Sequence, residues 1–473
     1  MSDEGRLPTL TDAKGMGGVI AQDGFDYQLW DSLVRLPAWL ANPAFESLIF
    51  EGLEDLEARF FTPHAPRGRL LERYQAKSGA LTPAEVRDVL ISFQNFEAAY
   101  PHAARVQTLV TPSLPSTIAW LRRDPLRVRR ARPFYAPFDD VAAACDARLR
   151  ERLVDAYGEQ LGGFVAQSVE FDQRSFADRD SALNAFGIAL DRTLPSLEAS
   201  PRHISDAFDA LSNLGHRSIG VPLPRQTLIQ TIENRLGRPL APPSSFPLRI
   251  RSDRNGSDET ALEVDASAFS GGAVGYPKSA GWQDGLLIPL DRVARWLLET
   301  GISRVVLGGS YRLTTAIAVG WSLRAATGFE LEIPTRDGIW ATDDRSHAEE
   351  CYPAWQIVEP ETLDGNKLVV SVGVLRDPAP ELPSTAGVPA GAILSAHLPE
   401  PITSAHAAQV GVGLIKRAVD TAAARLRPQS ISLFMAGPAA FAVALGHRWN
   451  AMAPTQLHEF LATERRYVPT AYI

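Results

Sequence analysis

Residues 303–328 read SRVVLGGSYRLTTAIAVGWSLRAATG: an apolar strand-like run, a turn of small residues, then an apolar stretch with helical character. The same order returns at 430–450, where SISLFMAGP leads into AAFAVALGHRWN. NKLVVSVGVL at 366–375 and AGAILSAHL at 390–398 add strand candidates, and SAHAAQVGVGLIKRAVDTAAARL at 404–426 adds a helix. Apolar strands followed by helices indicate a parallel sheet with helical crossovers. Two such units, each ending its strand in a small-residue turn, predict an α/β fold class with a duplicated Rossmann-like architecture in the C-terminal half.

For the chain as a whole, 473 residues argue for two or three domains at about 100–200 residues each. Proline clusters at 220–226 (GVPLPRQ) and 237–247 (GRPLAPPSSFP) place the boundary, so the expected division is 1–220, a Pro-rich linker at 221–246, and 247–473. The amphipathic piece between the clusters, RQTLIQTIENRL, reads as a structured linker. A hydrophobic content of 45% with 22% charged residues excludes a disordered chain. Two cysteines, Cys145 and Cys351, form neither a disulfide framework nor a zinc spacing, which fits a reducing cytoplasm. The polar N-terminus and the lack of an apolar run near about 18 residues indicate neither secretion nor a membrane span. The nine histidines form no HxxxH, HExxH or HNH-like group, and no GxSxG occurs, so zinc hydrolysis and α/β-hydrolase chemistry are disfavoured.

The N-terminal part orders a helical segment around GFDYQ (24–28), strand-like segments in SLIFEGLEDLEARFF and RLLERYQAKSG, and a helix at TPAEVRDVLISFQNFEAAY. Thr82 is its expected N-cap, with Pro83 at the first helical position and Glu85 completing a capping box. On a strand Gln75 and Lys77 share a face, and the preceding hairpin can bring Asp55 alongside. A carboxylate, a second oxygen ligand and a lysine on adjacent strands are equipment for metal-assisted phosphodiester hydrolysis, with Mg²⁺ or Mn²⁺ as the cofactor. Only five of the 47 basic side chains are lysines, which singles out Lys77. Glu51, Glu54 and Glu57 compete with Asp55 as ligands, and Asp55 and Gln75 are the expected metal pair. Positions 122–132 (RRDPLRVRRAR) form the steepest basic patch, so Arg122, Arg123, Arg127, Arg129 and Arg130 are candidate DNA contacts despite a net charge of −8.

The segment D…QxK resembles the PD-(D/E)xK restriction-endonuclease superfamily, with Gln in place of the usual acid, over roughly residues 15–115. That resemblance implies a restriction-endonuclease-like α/β domain whose catalytic set is Asp55, Gln75 and Lys77, with Gln28 of GFDYQ as a polar residue facing the site. Residues 247–473 resemble a SAVED domain, a fused pair of CARF-like units, through AGPAAFAVALGHRWN and the tyrosine-rich closing strand. The implied ligand is a cyclic oligonucleotide made by a CD-NTase, a cyclic trinucleotide for preference. Small residues at the two strand-to-helix turns can seat anions, which makes Gly309, Ser310, Gly437 and Pro438 candidate ligand contacts. Arg312 offers a bidentate phosphate partner and Lys278 a second cation. Trp282, Trp340 and Trp355 sit in loop-like contexts where an aromatic face can stack on a base.

Together these features resemble the SAVED-containing endonuclease effectors of bacterial anti-phage CBASS systems. The resemblance implies ligand-driven homo-oligomerisation and degradation of double-stranded DNA. The alternative is a ligand-binding protein whose nuclease fold is silent and recruits a partner.

Overall fold

The structure is a computed structural model that describes residues 13–52, 54–131, 140–194, 199–237, 239, 245–252, 261–271, 275–336, 338–343 and 354–473. It divides into two compact units, Met1–Pro242 and Pro243–Ile473. Cys351 and part of the expected linker, 240–244, lie outside the described residues. The α/β class read from the sequence holds in both units.

The first unit opens with α1 (Ala13–Ala41), then β1 (Phe45–Phe50), β2 (Leu56–Phe61), β3 (Arg69–Ala76), α2 (Pro83–Ala99) and β4 (Ala104–Thr111). There follow α3 (Trp120–Ala131), α4 (Asp140–Tyr157), α5 (Glu159–Ser168), β5 (Val169–Gln173), α6 (Arg179–Thr193), α7 (Pro201–Arg217), β6 (Leu223–Pro224) and α8 (Arg225–Leu236). The sheet order is β5-β4-β3-β2-β1-β6, with β3, β4 and β5 parallel and the remaining pairs antiparallel. Side-chain alternation sends Leu56, Ala58, Phe60, Tyr74, Ala76 and Val110 into a core with α1, α6, α7 and α8. On the other face Leu109 and Val169 pack with α2, α3, α4 and α5. Helix α2 starts at the capping box read from the sequence: Glu85 N–H donates to Thr82 Oγ1, and Glu85 Oε2 accepts from the Thr82 N–H at 2.7 Å.

The segment between the proline clusters contributes to this unit. β6 pairs with β1, and Leu228, Ile232 and Leu236 of α8 enter the core. Arg225 donates to the carbonyls of Asn42 (2.6 Å) and Leu40 (2.5 Å), closing the carboxyl end of α1, and its burial pulls its pKa down to about 10.

The second unit contains β7 (Phe246–Arg251), β8 (Leu262–Asp265), α9 (Ser279–Trp282), a π-helical turn, α10 (Ile288–Glu299), β9 (Arg304–Ser310), α11 (Leu313–Ser322), β10 (Glu330–Thr335) and β11 (Gly338–Ala341). Then come β12 (Gln356–Val358), β13 (Lys367–Val374), α12 (Leu382–Thr385), β14 (Ile393–Leu398), α13 (Ala405–Leu426), β15 (Ser430–Ala436), α14 (Ala439–Arg448), β16 (Thr455–Leu461) and β17 (Arg466–Tyr472). One sheet runs β11-β10-β9-β7-β8 and the other β17-β16-β15-β13-β14-β12. Apart from the added edge strand β12, order and direction match strand for strand, so this unit is a structural duplication.

The halves meet where α11 crosses α14, and the contact is reciprocal. A Cβ added to Gly320 would lie 2.1 Å from the Val443 carbonyl oxygen, and one added to Gly446 would lie 2.1 Å from that of Ile317. Position 320 stands to 446 as 317 stands to 443, so one pseudo-twofold operation maps each contact onto the other. His447, 1% exposed, adds a hydrogen-bonding contact of 2.6 Å from Nδ1 to the Leu323 carbonyl. Replacing Gly320 or Gly446 with Ala should force the helices apart and lower stability by about 2 kcal/mol or more, against the usual gain of a helical Gly→Ala change. Thermal unfolding of each variant checks this.

Candidate functional site

Asp55 closes the β1–β2 hairpin. Glu51, at φ +50°, takes the left-handed conformation there, and its N–H donates to the Asp55 carbonyl at 2.9 Å. A non-glycine residue held in that region costs on the order of 1 kcal/mol, and such strain concentrates at functional sites. The turn projects the Asp55 carboxylate across β3, where Oδ2 accepts from both Gln75 Nε2 and the Ala76 N–H, each at 2.8 Å. The two residues expected to share a metal are thus in direct contact. Burial is the largest influence on the Asp55 carboxyl and pushes it up to about 6; Glu51 and Glu54 push the same way, while the Ala76 N–H and Lys77 pull it down.

The structure separates the acids of the hairpin, and Glu57 is buried on β2 with Oε2 3.7 Å from Arg59 Nη2. Glu54 Oε1 accepts from Arg73 Nη2 at 2.8 Å and from Ser92 Oγ at 3.1 Å. Arg73 is buried, stacks its guanidinium 3.6 Å from the Phe96 ring centroid, and donates to Gln107. Glu54 is committed to this buried guanidinium, and Asp55 is left as the carboxylate beside Gln75. Glu51 is exposed and close enough to raise Asp55. Nothing in the sequence marked Arg73 as the partner that decides among these acids.

Lys77 follows β3, half-buried, with its N–H bonded to the Val110 carbonyl at 2.9 Å. Cross-strand registers put Lys77, Thr111 and Gln173 in one row on one face at the carboxyl edge of β3, β4 and β5. Arg122 of α3 reaches the same row, donating to Gln173 Oε1 at 3.3 Å. Arg123 pairs with Asp124, Arg127 is exposed, and the side chains of Arg129 and Arg130 lie outside the described residues. Gln28 lies half-buried on α1, where its Oε1 is shielded without a hydrogen-bond partner, so the structure does not bond it to Asp55.

Among the described residues no group of three or more His, Cys, Asp or Glu side chains forms a cation cage. A hard divalent cation that keeps most of its waters needs only one or two protein oxygens. The Asp55 carboxylate and the Gln75 amide oxygen, presented once the amide turns over, supply them, with Glu51 adding charge nearby. The donor set fits such a cation.

In the second unit each sheet reverses its strand order once, between β7 and β9 in one half and between β13 and β15 in the other. Ligands of open α/β sheets bind at the carboxyl ends of strands at such switch points. Gly309 and Ser310 end β9 at the first, and Gly437 and Pro438 follow β15 at the second. Gly309, at φ +96°, sits so close to β7 that a Cβ would lie 2.1 Å from the Ile250 carbonyl oxygen. The turn glycines therefore belong to the switch points.

The structure corrects the expectations for Trp282 and Trp355 and places the other ligand candidates. Trp282 is fully buried, its indole N–H bonded to the Pro277 carbonyl at 3.1 Å, and it packs 4.5 Å from Phe269, so it is core. Trp355 stacks on Phe441 and fills the space over Gly411. Trp340 is half-buried on the edge strand β11, opposite Ile333 and two strands from β9. Arg312 occupies the N-cap position of α11 without a side-chain cap bond and donates from Nε to the Ser270 carbonyl at 2.7 Å, while Lys278 is exposed at the start of α9. The first turn of α11 is not open: the Thr314 N–H donates to Glu459 Oε2 at 2.9 Å. A recess of about 570 Å³, lined by Ala325, His406, Arg417, His447 and Arg448 among others, opens at the carboxyl ends of α11 and α14, away from both turns.

Comparison with known proteins places these features. Residues 289–473 match the family described as SAVED, the SMODS-associated and fused to various effectors sensor domain. CD-NTase-associated protein 4 of Acinetobacter sp. (strain ATCC 27244 / 9458) is 25% identical over 478 aligned residues, covering 98% of each chain. The protein of that name from Moraxella osloensis is also 25% identical, again covering 98% of each chain. The Acinetobacter baumannii Cap4 SAVED/CARF-domain receptor, solved with the cyclic trinucleotide 3′3′3′-cAAA, superposes with a TM-score of 0.77 at 24% identity, over 95% of this chain and 98% of that one. The same receptor with 2′3′3′-cAAA gives 0.76 at 23% identity, with the same coverage. The SAVED resemblance read from the sequence is borne out, and with it the duplicated fold. No helix among the described residues is long and apolar enough to cross a membrane.

A carboxyl whose pKa is raised by the fold stabilises the folded state only while protonated; that contribution fades as pH rises from near 4 through about 6. Asp55→Asn should therefore leave stability nearly unchanged below pH 4 and raise it, by about 1 kcal/mol, near neutrality. Urea unfolding of both proteins across that range is the check, and a destabilised variant at neutral pH would contradict the geometry.

Proposed function

We propose that this SAVED-domain protein, similar to CD-NTase-associated protein 4 along almost its whole length, is a cyclic-oligonucleotide-activated, metal-dependent endonuclease that degrades double-stranded DNA in anti-phage defence. The observation that carries the hydrolytic half is the Asp55–Gln75 contact with Lys77 on the same strand face. A sensor alone has no use for a strained hairpin that holds a carboxylate with a raised pKa beside a scarce lysine.

Asp55 and Gln75 would hold Mg²⁺ or Mn²⁺, which when bound polarises the scissile phosphate and lowers the pKa of a coordinated water. The Lys77 ammonium lies on the face where the phosphodiester backbone passes, and there it neutralises developing charge and orients the attacking water. Gln28, with its orphaned amide oxygen, is a polar contact for water or nucleic acid. Arg122 extends the row at the sheet's carboxyl edge, and with Arg123 and Arg127 on the same helix it binds backbone phosphates without reading sequence. Arg129 and Arg130 continue the same helix. In the second unit a cyclic trinucleotide, the ligand class in the receptor structures of similar fold, occupies the two switch points through Gly309, Ser310, Arg312, Gly437 and Pro438. Ligand binding drives homo-oligomerisation of the SAVED units in the cytoplasm, and this brings nuclease units together on DNA.

One observation favours a second reading, a silent nuclease fold that recruits a partner: the Gln75 amide already satisfies Asp55 as a donor, so the pair is stable without a cation. Incubating the protein with plasmid DNA and Mg²⁺, with and without a panel of cyclic di- and trinucleotides, separates the two. Cutting that requires one ring and disappears in Lys77→Ala, with ring affinity retained, is expected. Ring binding without cutting would establish recruitment instead.

Charge reversal at Arg122 and Arg127 should weaken DNA binding by the ligand-activated protein evenly across sequences, and should lower the slope of log affinity against log salt by about 0.9 for each phosphate no longer neutralised. Fluorescence anisotropy with two unrelated duplexes measures both effects.

A further inference from the structure

The two halves of the SAVED unit are topological copies, yet the starts of their matching helices differ in charge. The Thr314 N–H in the first turn of α11 is bonded to Glu459 Oε2, and the Thr314 and Thr470 hydroxyls lie 3.1 Å apart beside it. Glu459 comes from the other half, on β16, and is 7% exposed. Hairpin registers align the halves: Leu461 opposes Arg466 as Thr335 opposes Gly338, which makes Ile333 the counterpart of Glu459. The helix offset of 320 to 446 makes Ala440 the counterpart of Thr314. An apolar side chain, 2% exposed, therefore stands in the first half where the second half presents a carboxylate. Among the described residues no side chain accepts from the first turn of α14.

An α-helix start carries roughly half a positive charge and attracts one anion, and at α11 the chain has put a carboxyl group of its own in that place. Around it stand Arg312, whose guanidinium is held by the Ser270 carbonyl, and the phenols of Tyr276 and Tyr467.

We propose that Glu459 is a built-in anion at the first switch point, which turns a phosphodiester away from the start of α11 and so selects one of the two orientations that the pseudo-twofold axis would otherwise offer a cyclic oligonucleotide. This rests on reading the unit as a ring receptor. Glu459 is an orientation-determining residue: its charge opposes a phosphate at one turn while the matching turn at Gly437 and Ala440 stays open.

Glu459→Gln keeps an oxygen acceptor for the Thr314 N–H and removes only the charge. Binding of a cyclic tri-adenylate, measured by calorimetry at alkaline pH, which favours the carboxylate over the acid that burial promotes, should tighten about tenfold at low salt. The gain should fade near about 1 M salt, where the screening length falls to about 3 Å. Unchanged or weaker binding at low salt, or a change that ignores salt, would overturn the proposal. Inorganic phosphate supplies a test independent of the ring. It should raise the melting temperature of Glu459→Ala, whose Thr314 N–H is left open, more than that of the unaltered protein; equal shifts would also overturn it. If the unaltered protein bound no ring at all, the receptor reading would fail while the phosphate comparison still decided whether Glu459 fills an anion seat.

Discussion

The backbone-to-backbone crossing of α11 and α14 is the constraint on which the second unit depends. Each helix follows directly from the strand that ends at a switch point, so the distance between the helices fixes where the two turns sit. Gly320 and Gly446 permit that distance because neither carries a Cβ to meet the opposing carbonyl. Glycine in a helix costs about 1 kcal/mol relative to alanine. The cost is offset by close packing of Ile317, Val443 and the buried His447, whose surroundings are dry enough to lower its pKa to about 4 and keep it neutral.

Two carboxylates, Asp55 half-buried and Glu459 buried, show how the same physics yields different chemistry. Asp55 and Glu459 are both raised by burial, and both accept a backbone N–H, from Ala76 and Thr314 respectively. Asp55 has acids on its own hairpin and a lysine two residues beyond its amide partner, at an edge open to solvent on one side. A cation arriving there relieves the repulsion and lowers the pKa. Glu459 instead faces hydroxyls, phenols and one arginine at a helix start, where the helix already supplies the compensating charge. On the proposed reading, Asp55 gains a cation and Glu459 excludes an anion.

Much of this was legible in the primary structure. The alternation of apolar strands and helices announced the duplicated α/β unit, Thr82 and Glu85 marked the capping box, and the spacing of Gln75 and Lys77 placed both on one face with Asp55 alongside. These features depend on local periodicity and local hydrogen bonds, which a chain carries in its order of residues. Less legible were features set by residues distant in sequence. Glu54 looked equivalent to Asp55 until Arg73, nineteen positions away, claimed it. Trp282 looked like a loop aromatic because its loop is polar, yet it fills a cavity against Phe269. The helix between the proline clusters looked like a linker because neither its partner strand β1 nor the α1 carbonyls that Arg225 closes are near it in sequence.

Strand and helix periods and turn chemistry act over a few residues, and for that reason the order of residues was enough to set the fold class, the position of Asp55, Gln75 and Lys77 and the two small-residue turns. Which acid of the hairpin stays beside Gln75 was settled in three dimensions, as was the filling of one turn while its copy stays open. Both depend on a partner delivered across the fold, Arg73 to Glu54 and Glu459 to Thr314, and burial makes such long-range pairs strong enough to override what neighbours in sequence suggest.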